Sequence, residues 1–207
     1  SAYDWINAEG KVLIHFSSIN EAPSGWPPDL LMYQPDLEDL LDKEARAQPS
    51  VEINLGWEAA ALTQHDDYVE LTVRQGEKTP QGQWLPTGET RTVRARYLIG
   101  ADGANSFVRQ ALNFAWEDMG FSENWLVVDF RPNDAQAVAT MPEMAQLCDP
   151  ARPTTLGHMG DQYARWEFKL LPGEQPAEMA TPEKVWELLS PWVTPDQGHL
   201  LRQVVYN

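Results

Sequence analysis

Tyr97-Leu98-Ile99-Gly100-Ala101-Asp102-Gly103-Ala104-Asn105-Ser106-Phe107-Val108-Arg109 carries the reading of this chain. Tyr97-Leu98-Ile99 is apolar on both faces, as expected for the deeply buried end of a strand. Gly100 and Gly103 permit a sharp turn with close backbone approach, and Asn105 or Ser106 can cap a helix that starts there. Amide N–H groups at a helix start, with Arg109 one turn in, suit an anion such as phosphate. Asp102 beside such an anion would accept hydrogen bonds from sugar hydroxyls or order the turn. A plain strand–turn–helix junction satisfies the same spacing. On spacing alone that plainer reading is favoured, because short glycine motifs match by accident.

Working outward, Arg91–Ile99 reads as the strand that leads into this turn. Tyr68–Arg74 alternates, with Val69, Leu71 and Val73 on one face and Glu70, Thr72 and Arg74 on the other, the pattern of a half-buried antiparallel strand. Between them, residues 75–90 hold Gly76, Pro80, Gly82, Pro86 and Gly88 and read as a long, solvent-facing hairpin tip. Val51–Leu55 reads as a short strand. Leu37, Leu40, Leu41 and Ala45 recur at helical spacing after Pro35, so a helix is expected over 35–47. Tyr3–Ile6 and Lys11–Phe16 form a hairpin about Asn7-Ala8-Glu9-Gly10, and the prolines and glycine of 20–30 make a loop or crossing segment. Beyond residue 115 the composition becomes acidic around an apolar strand, Trp125–Phe130. Tyr163–Leu171 and Leu200–Tyr206 read as further strands, and Thr181-Pro182-Glu183 starts a helix that runs to about Ser190.

The 207 residues include 31 acidic and 15 basic side chains, a formal charge of −16. Such an excess argues against nucleic acid or an anionic membrane as partner, since either requires a basic face. With 43% hydrophobic residues and nine Trp, a real core is expected. The single Cys148 leaves no internal disulfide and no multi-cysteine zinc site, which fits a reducing, cytoplasmic setting. Cys148 itself reads as an unreactive small residue. The chain starts at Ser1 and stops inside the strand-like run Leu200–Asn207, so an internal piece of a longer protein is expected.

Gly100-Ala101-Asp102-Gly103-Ala104-Asn105-Ser106-Phe107-Val108-Arg109, followed by Leu112-Asn113, resembles the internal Asp-Gly motif of FAD-dependent aromatic hydroxylases of the para-hydroxybenzoate hydroxylase fold. Gln34-Pro35-Asp36-Leu37-Glu38 resembles that family's Gln-Pro-x-Leu-Glu helix start. Cys148-Asp149-Pro150-Ala151-Arg152-Pro153, Arg165-Trp166-Glu167-Phe168, Leu171-Pro172-Gly173-Glu174 and Leu201–Tyr206 resemble the branch containing 3-(3-hydroxyphenyl)propionate hydroxylase. The resemblance runs over essentially the whole chain, in order. The family's opening Gly-x-Gly-x-x-Gly turn and its later Gly-Asp-Ala-Ala-His segment do not occur in this sequence. Both are expected outside residues 1–207, and the 207 residues alone are expected to be inactive.

The resemblance implies an α+β fold, with a mostly antiparallel sheet from a substrate-binding domain plus part of an α/β FAD-binding domain. It divides the chain into 1–33 (hairpin and crossing loop of the substrate domain), 34–115 (part of the FAD-binding domain) and 116–207 (substrate-binding domain). It implies FAD and NAD(P)H as cofactors, with O2 and a small phenolic aromatic acid as substrates, and no metal. Gly100, Asp102, Gly103 and Arg109 would lie near the FAD pyrophosphate and Gln34 near the flavin, although Gln34 is equally well read as the residue preceding a helix. Arg165 and Glu167, two apart on a strand, share a face. They would contact flavin or a substrate carboxylate and orient a hydroxyl, or else form an ordinary exposed charge pair. His158 reads more simply as a loop residue than as a proton relay. Two other classes fit the composition: a β-rich module that binds a small molecule without redox activity, and an acidic interaction domain with a Trp-rich surface.

Overall fold

The computed structural model describes residues 2–17, 22–27, 29–79 and 84–207. Parts of the expected 20–30 crossing segment and of the 75–90 tip therefore lie outside the described residues. In chain order the elements are β1 (Ala2–Asn7), β2 (Val12–Ser17), α1 (Gln34–Arg46), β3 (Trp57–Gln64), β4 (Val69–Lys78), β5 (Trp84–Ala95) and α2 (Phe107–Ala111). There follow β6 (Trp125–Pro132), β7 (Met144–Cys148), β8 (Thr154–His158), β9 (Ala164–Lys169), α3 (Pro176–Met179), α4 (Pro182–Leu189) and β10 (Gly198–Tyr206). Two compact units emerge, one of Ser1–Lys43 with Gly120–Asn207, the other of Glu44–Met119.

The first unit is a seven-stranded sheet in the order β10-β6-β9-β8-β7-β1-β2. It is antiparallel throughout except for β1 against β7, a parallel pair that makes the sheet mixed. Alternation decides its layers. In β9, Ala164, Trp166 and Phe168 are buried while Arg165, Glu167 and Lys169 point to the other face. The buried face continues through Leu126, Val128 and Phe130 of β6 and Leu156 of β8, and it is covered by Val185 and Leu189 of α4 and Met179 of α3. Phe130 meets Trp166 and Trp186 edge-on, with ring centroids 5.9 and 6.1 Å apart. Each such side chain contributes about 1.5–3 kcal/mol on full burial. Helix α4 starts as its sequence prescribes: Thr181 accepts from the Lys184 N–H, Pro182 opens the first turn and Glu183 sits beside the positive helix end.

The second unit is a three-stranded antiparallel sheet, β3-β4-β5, with α2 against β3. Both of its strand pairs among the described residues are antiparallel. Val51–Leu55 is not a strand. Val51 and Leu55 are exposed, and Gly56, at φ 78°, turns the chain so that pairing starts at Trp57. The alanines of Trp57–Gln64 hid β3, because alanine carries little strand preference. The 75–90 hairpin is paired much further than its prolines suggest, with Gly76 opposite Pro86 and Lys78 opposite Trp84. Pro86 is tolerated because β5 is an edge strand. At Gly76 a Cβ would sit 2.4 Å from the Trp84 ring, so only glycine admits that tryptophan. Strand β5 ends at Ala95, and Tyr97 and Ile99, expected to be buried, are 82% and 87% exposed. Among the described residues no helix is long and apolar enough to cross a membrane.

Candidate functional site

On the sheet face opposite the core, the first unit contains a cavity of about 260 Å³. Its floor comes from β7, β8 and β9 and its wall from the segment that leads into α1. Leu30, Met32, Met144 and Met159 supply apolar surface, and Gln34, Thr155, Arg165 and Glu167 the polar groups. The ladder explains the placing. Met144 pairs with Gly157, Gly157 with Arg165 and Arg165 with Asp129, so one row runs across four strands. The next row on that face holds Gln146, Thr155 and Glu167. Gly157 is required here: a Cβ would lie 2.5 Å from the Glu143 carbonyl oxygen and 2.7 Å from the Met144 sulfur. Tyr33 stacks on Tyr163 at 3.9 Å and holds the crossing segment to the sheet.

Arg165 is not a free cation. Its Nε donates to Asp129 Oδ1 at 2.6 Å and its Nη2 to Asp129 Oδ2 at 3.2 Å, and Asp129 is 2% exposed. Burial is the strongest single influence and lowers the guanidinium pKa, but the Asp129 hydrogen bonds together with the Asp129 and Glu167 charges raise it overall. Glu167 lies 3.9 Å from Arg165 Nη1. Burial pushes its pKa up, and the nearby guanidinium opposes only part of that. Burial likewise raises the Tyr3 phenol, with the Glu167 charge adding to it. Gln34 donates from Nε2 to Glu38 at 2.6 Å, and the Thr155 hydroxyl donates to Gln146 at 2.7 Å, which leaves oxygen lone pairs on both as acceptors.

Gly100, Asp102, Gly103 and Arg109 lie in the second unit, in a turn that satisfies itself. Asp102 accepts from the Ser106 hydroxyl at 2.6 Å and from the Val108 N–H at 3.1 Å, and the Ser106 bond is the main cause of its lowered pKa. Ser106 is the cap of α2 and accepts from the Arg109 N–H at 3.0 Å. The first helical amides, expected to await a phosphate, are thus largely taken by side chains, and of the two roles weighed for Asp102 the turn-ordering one is seen. Arg109 Nη1 donates to the Ala104 carbonyl at 2.6 Å, and its guanidinium lies 4.3 Å from the centre of the Trp116 ring. Gly100 is a packing glycine whose Cβ would meet Val108 at 2.8 Å. Gly103, at φ 74°, has open space where a Cβ would be.

The structure brings together Gln34, Arg165 and Glu167 in one cavity and Gly100, Asp102, Gly103 and Arg109 in one turn. Sequence reasoning missed Asp129 and the Tyr33–Tyr163 clamp. The signal for Asp129 was available: it is the one charged residue inside Trp125–Phe130, and a lone carboxylate in a buried run needs a cationic partner. His158 closes β8 beside an adjoining space that it shares with Glu143 and Asp161.

The first unit thus has one sheet face packed into a dry core and, on the other, a cavity with apolar walls and a part-buried ion pair, a lining of the kind found in small-molecule sites. Residues 9–198 match the family described as FAD binding domain, and the chain belongs to that family. It is 35% identical over 204 residues to a probable NADH-specific resorcinol 4-hydroxylase of Rhodococcus jostii, covering 99% of this chain and 36% of that protein. It is 32% identical to a 3-(3-hydroxy-phenyl)propionate/3-hydroxycinnamic acid hydroxylase of Comamonas testosteroni, covering 88% of this chain and 29% of that protein. The chain thus spans about a third of the length of these curated relatives. Among solved structures, p-nitrophenol 4-monooxygenase of Pseudomonas putida superposes with a TM-score of 0.77 at 19% identity, over 99% of this chain and 50% of the other. Aklavinone-11 hydroxylase in complex with FAD and aklavinone gives a TM-score of 0.71 at 23% identity, over 99% and 39%. These last two likenesses establish the fold alone.

Proposed function

We propose that the full-length protein is an FAD- and NAD(P)H-dependent monooxygenase that hydroxylates a small phenolic aromatic compound. Family membership supports FAD, and the names of the relatives support an aromatic substrate. The observation that carries the reading is the cavity beside β9, where apolar walls surround a fixed Arg165, a half-buried Glu167 and the Gln34 and Thr155 oxygens. The net reaction places one oxygen atom of O2 on the ring and the other in water, with two electrons from NAD(P)H and one proton. FAD, when bound, supplies the two-electron chemistry and the activation of O2.

The residues present fit the aromatic end of such a system better than its phosphate end. The cavity suits a flat ring held by the methionine and leucine side chains, with Leu30, Leu31 and Met32 along one wall. Gln34 would face the flavin. In the Asp-Gly turn, Gly100 and Asp102 hold the backbone shape and Gly103 leaves room for close approach. Arg109, the only base between Tyr97 and Trp116, keeps further N–H groups beyond the one given to Ala104. One charge-assisted contact to a pyrophosphate is therefore what this turn offers. Arg109→Ala in the full-length protein is expected to weaken FAD or NAD(P)H binding by on the order of 1.5–3 kcal/mol. An unchanged affinity for both would remove Arg109 from the site.

The deciding measurement is reconstitution of the full-length protein with FAD, followed by phenol-stimulated NAD(P)H oxidation with matching O2 uptake. A protein that takes up no flavin, or a flavoprotein that no phenol stimulates, would sink the proposal and leave a small-molecule-binding module.

A further inference from the structure

We propose that the cavity beside β9 selects an uncharged phenol and discriminates against one that carries a carboxylate. The inference rests on the monooxygenase reading and concerns the substrate class of that same site. Among the described residues lining the cavity, Arg165 is the only cation, and it is already neutralised. Arg165 and Asp129 stand directly opposite in the β9–β6 ladder, so the sheet itself builds the pair, and Asp129 is almost completely buried. Glu167 adds a second carboxylate two residues along. Ionised, it makes the local charge negative; protonated, it leaves it neutral. In neither state is there net positive charge to receive an anion.

The surroundings point the same way. The adjoining space shares Leu30 and Leu31 with the cavity and is bordered by Asp29, Glu143 and Asp161, with His158 as the only basic residue among its lining. A substrate carboxylate would shed water and meet this field without an unpaired cation. A carboxylate that displaced Asp129 would leave it charged, buried and alone, a strongly unfavourable exchange, and one that used only Arg165 Nη1 would meet the Glu167 carboxylate, 3.9 Å from that nitrogen. A phenol hydroxyl avoids that cost. It can donate to Glu167 or to the free lone pairs of Gln34 and Thr155, and accept from Arg165 without displacing Asp129.

The test uses the FAD-loaded full-length protein with 1,3-dihydroxybenzene and 3,5-dihydroxybenzoate. Both kcat/KM for coupled NAD(P)H oxidation and Kd by calorimetry are measured. The wild type is expected to favour the uncharged compound in both readouts by roughly tenfold or more. Glu167→Gln, which removes a negative charge and keeps the shape, should move the ratio toward the acid by about tenfold. Asp129→Asn, which frees the Arg165 charge, should move it the same way, and Glu167→Gln decides the matter if that variant does not fold. Equal or better use of the benzoate by the wild type, or an unmoved ratio in Glu167→Gln, overturns the inference. Turnover of neither compound alongside selective binding of the uncharged one would instead count against the monooxygenase reading and leave the charge argument standing.

Discussion

Every buried apolar side chain described lies between Leu126 and Val193, and none lies between Glu44 and Met119. Yet the second stretch holds Trp57, Tyr97, Ile99, Phe114 and Trp116. The contrast separates two properties that hydropathy merges. Apolar sequence marks what could be buried, whereas burial needs a second layer. The seven-stranded sheet has α3, α4 and the Trp192–Val193 turn over one face. Among the described residues the three-stranded sheet has the five-residue α2 beside β3, and the run after β5 leaves Tyr97 and Ile99 open.

Breaking the covered layer should produce the largest effect. Trp166→Ala is expected to cost about 3–5 kcal/mol in denaturant unfolding followed by circular dichroism. Trp166→Phe should cost less than about 1.5 kcal/mol, because the indole N–H has no partner to lose. Near-equal losses for the two would mean that volume is not what Trp166 provides.

A smaller loss is expected on the cavity side of the same sheet. Gly157→Ala forces a Cβ against Glu143 and Met144 and should cost about 1–3 kcal/mol, with weaker binding of any ring ligand. A neutral substitution would show that Met144 moves freely and that the cavity wall is soft.

The ion pairs sharpen the comparison further. Arg152 donates twice to Glu174, at 2.6 and 2.7 Å, and Leu171 N–H adds a third bond. The Arg152 bonds hold the Glu174 pKa below the usual glutamate range. The folded state then binds fewer protons than the unfolded state, so this stabilisation is complete above the ordinary glutamate pKa and is lost as pH falls through the lowered value. Arg152→Ala should cost about 1–2 kcal/mol at neutral pH and flatten the acid side of the stability profile. In the other unit, Arg74 and Glu58 are each more than 40% exposed, and Arg74→Ala should change stability by about 0.5 kcal/mol or less.

The smallest effect is expected at Ile99. In the 207-residue chain Ile99→Ser should stay within about 0.5 kcal/mol of wild type. A loss above about 2 kcal/mol would show that this run is covered after all.

What the sequence made legible divides along the same line. Strict alternation and end signals located α1, α4, β4, β6, β9 and β10 to within a few residues, and put Arg165 and Glu167 on one face with Trp166 on the other. Those signals are local, and so is their cause. Strand β3 was hidden by its alanines, and β7 and β8 by brevity and by Gly157. Tyr97–Ile99 failed for a different reason: its hydropathy states a preference that no neighbour among the described residues satisfies. At the site, spacing could place Asp102 and Arg109 in one turn, but could not show that Ser106, Val108 and Ala104 already occupy their hydrogen bonds. The Arg165–Asp129 pair joins residues 36 apart in sequence, beyond the reach of any local pattern.

The parallel contact of β1 with β7 sets an order of events for the nascent chain. Ala2 N–H donates to the Glu143 carboxylate across 141 residues, and the β1–β7 ladder spans comparable distances. Strands β1 and β2 can zip with each other as soon as Ser17 is made, but the hairpin has no sheet to join until Cys148 has followed. Closing so long a loop is entropically expensive and slow compared with local pairing. Until β7 follows, Val12, Leu13, Ile14 and Phe16 lie on a ribbon whose β1 edge lacks its parallel partner. Within residues 1–207, β2 thus ends at an edge of the sheet, tied to it only through β1, whose other partner β7 is made more than a hundred residues later.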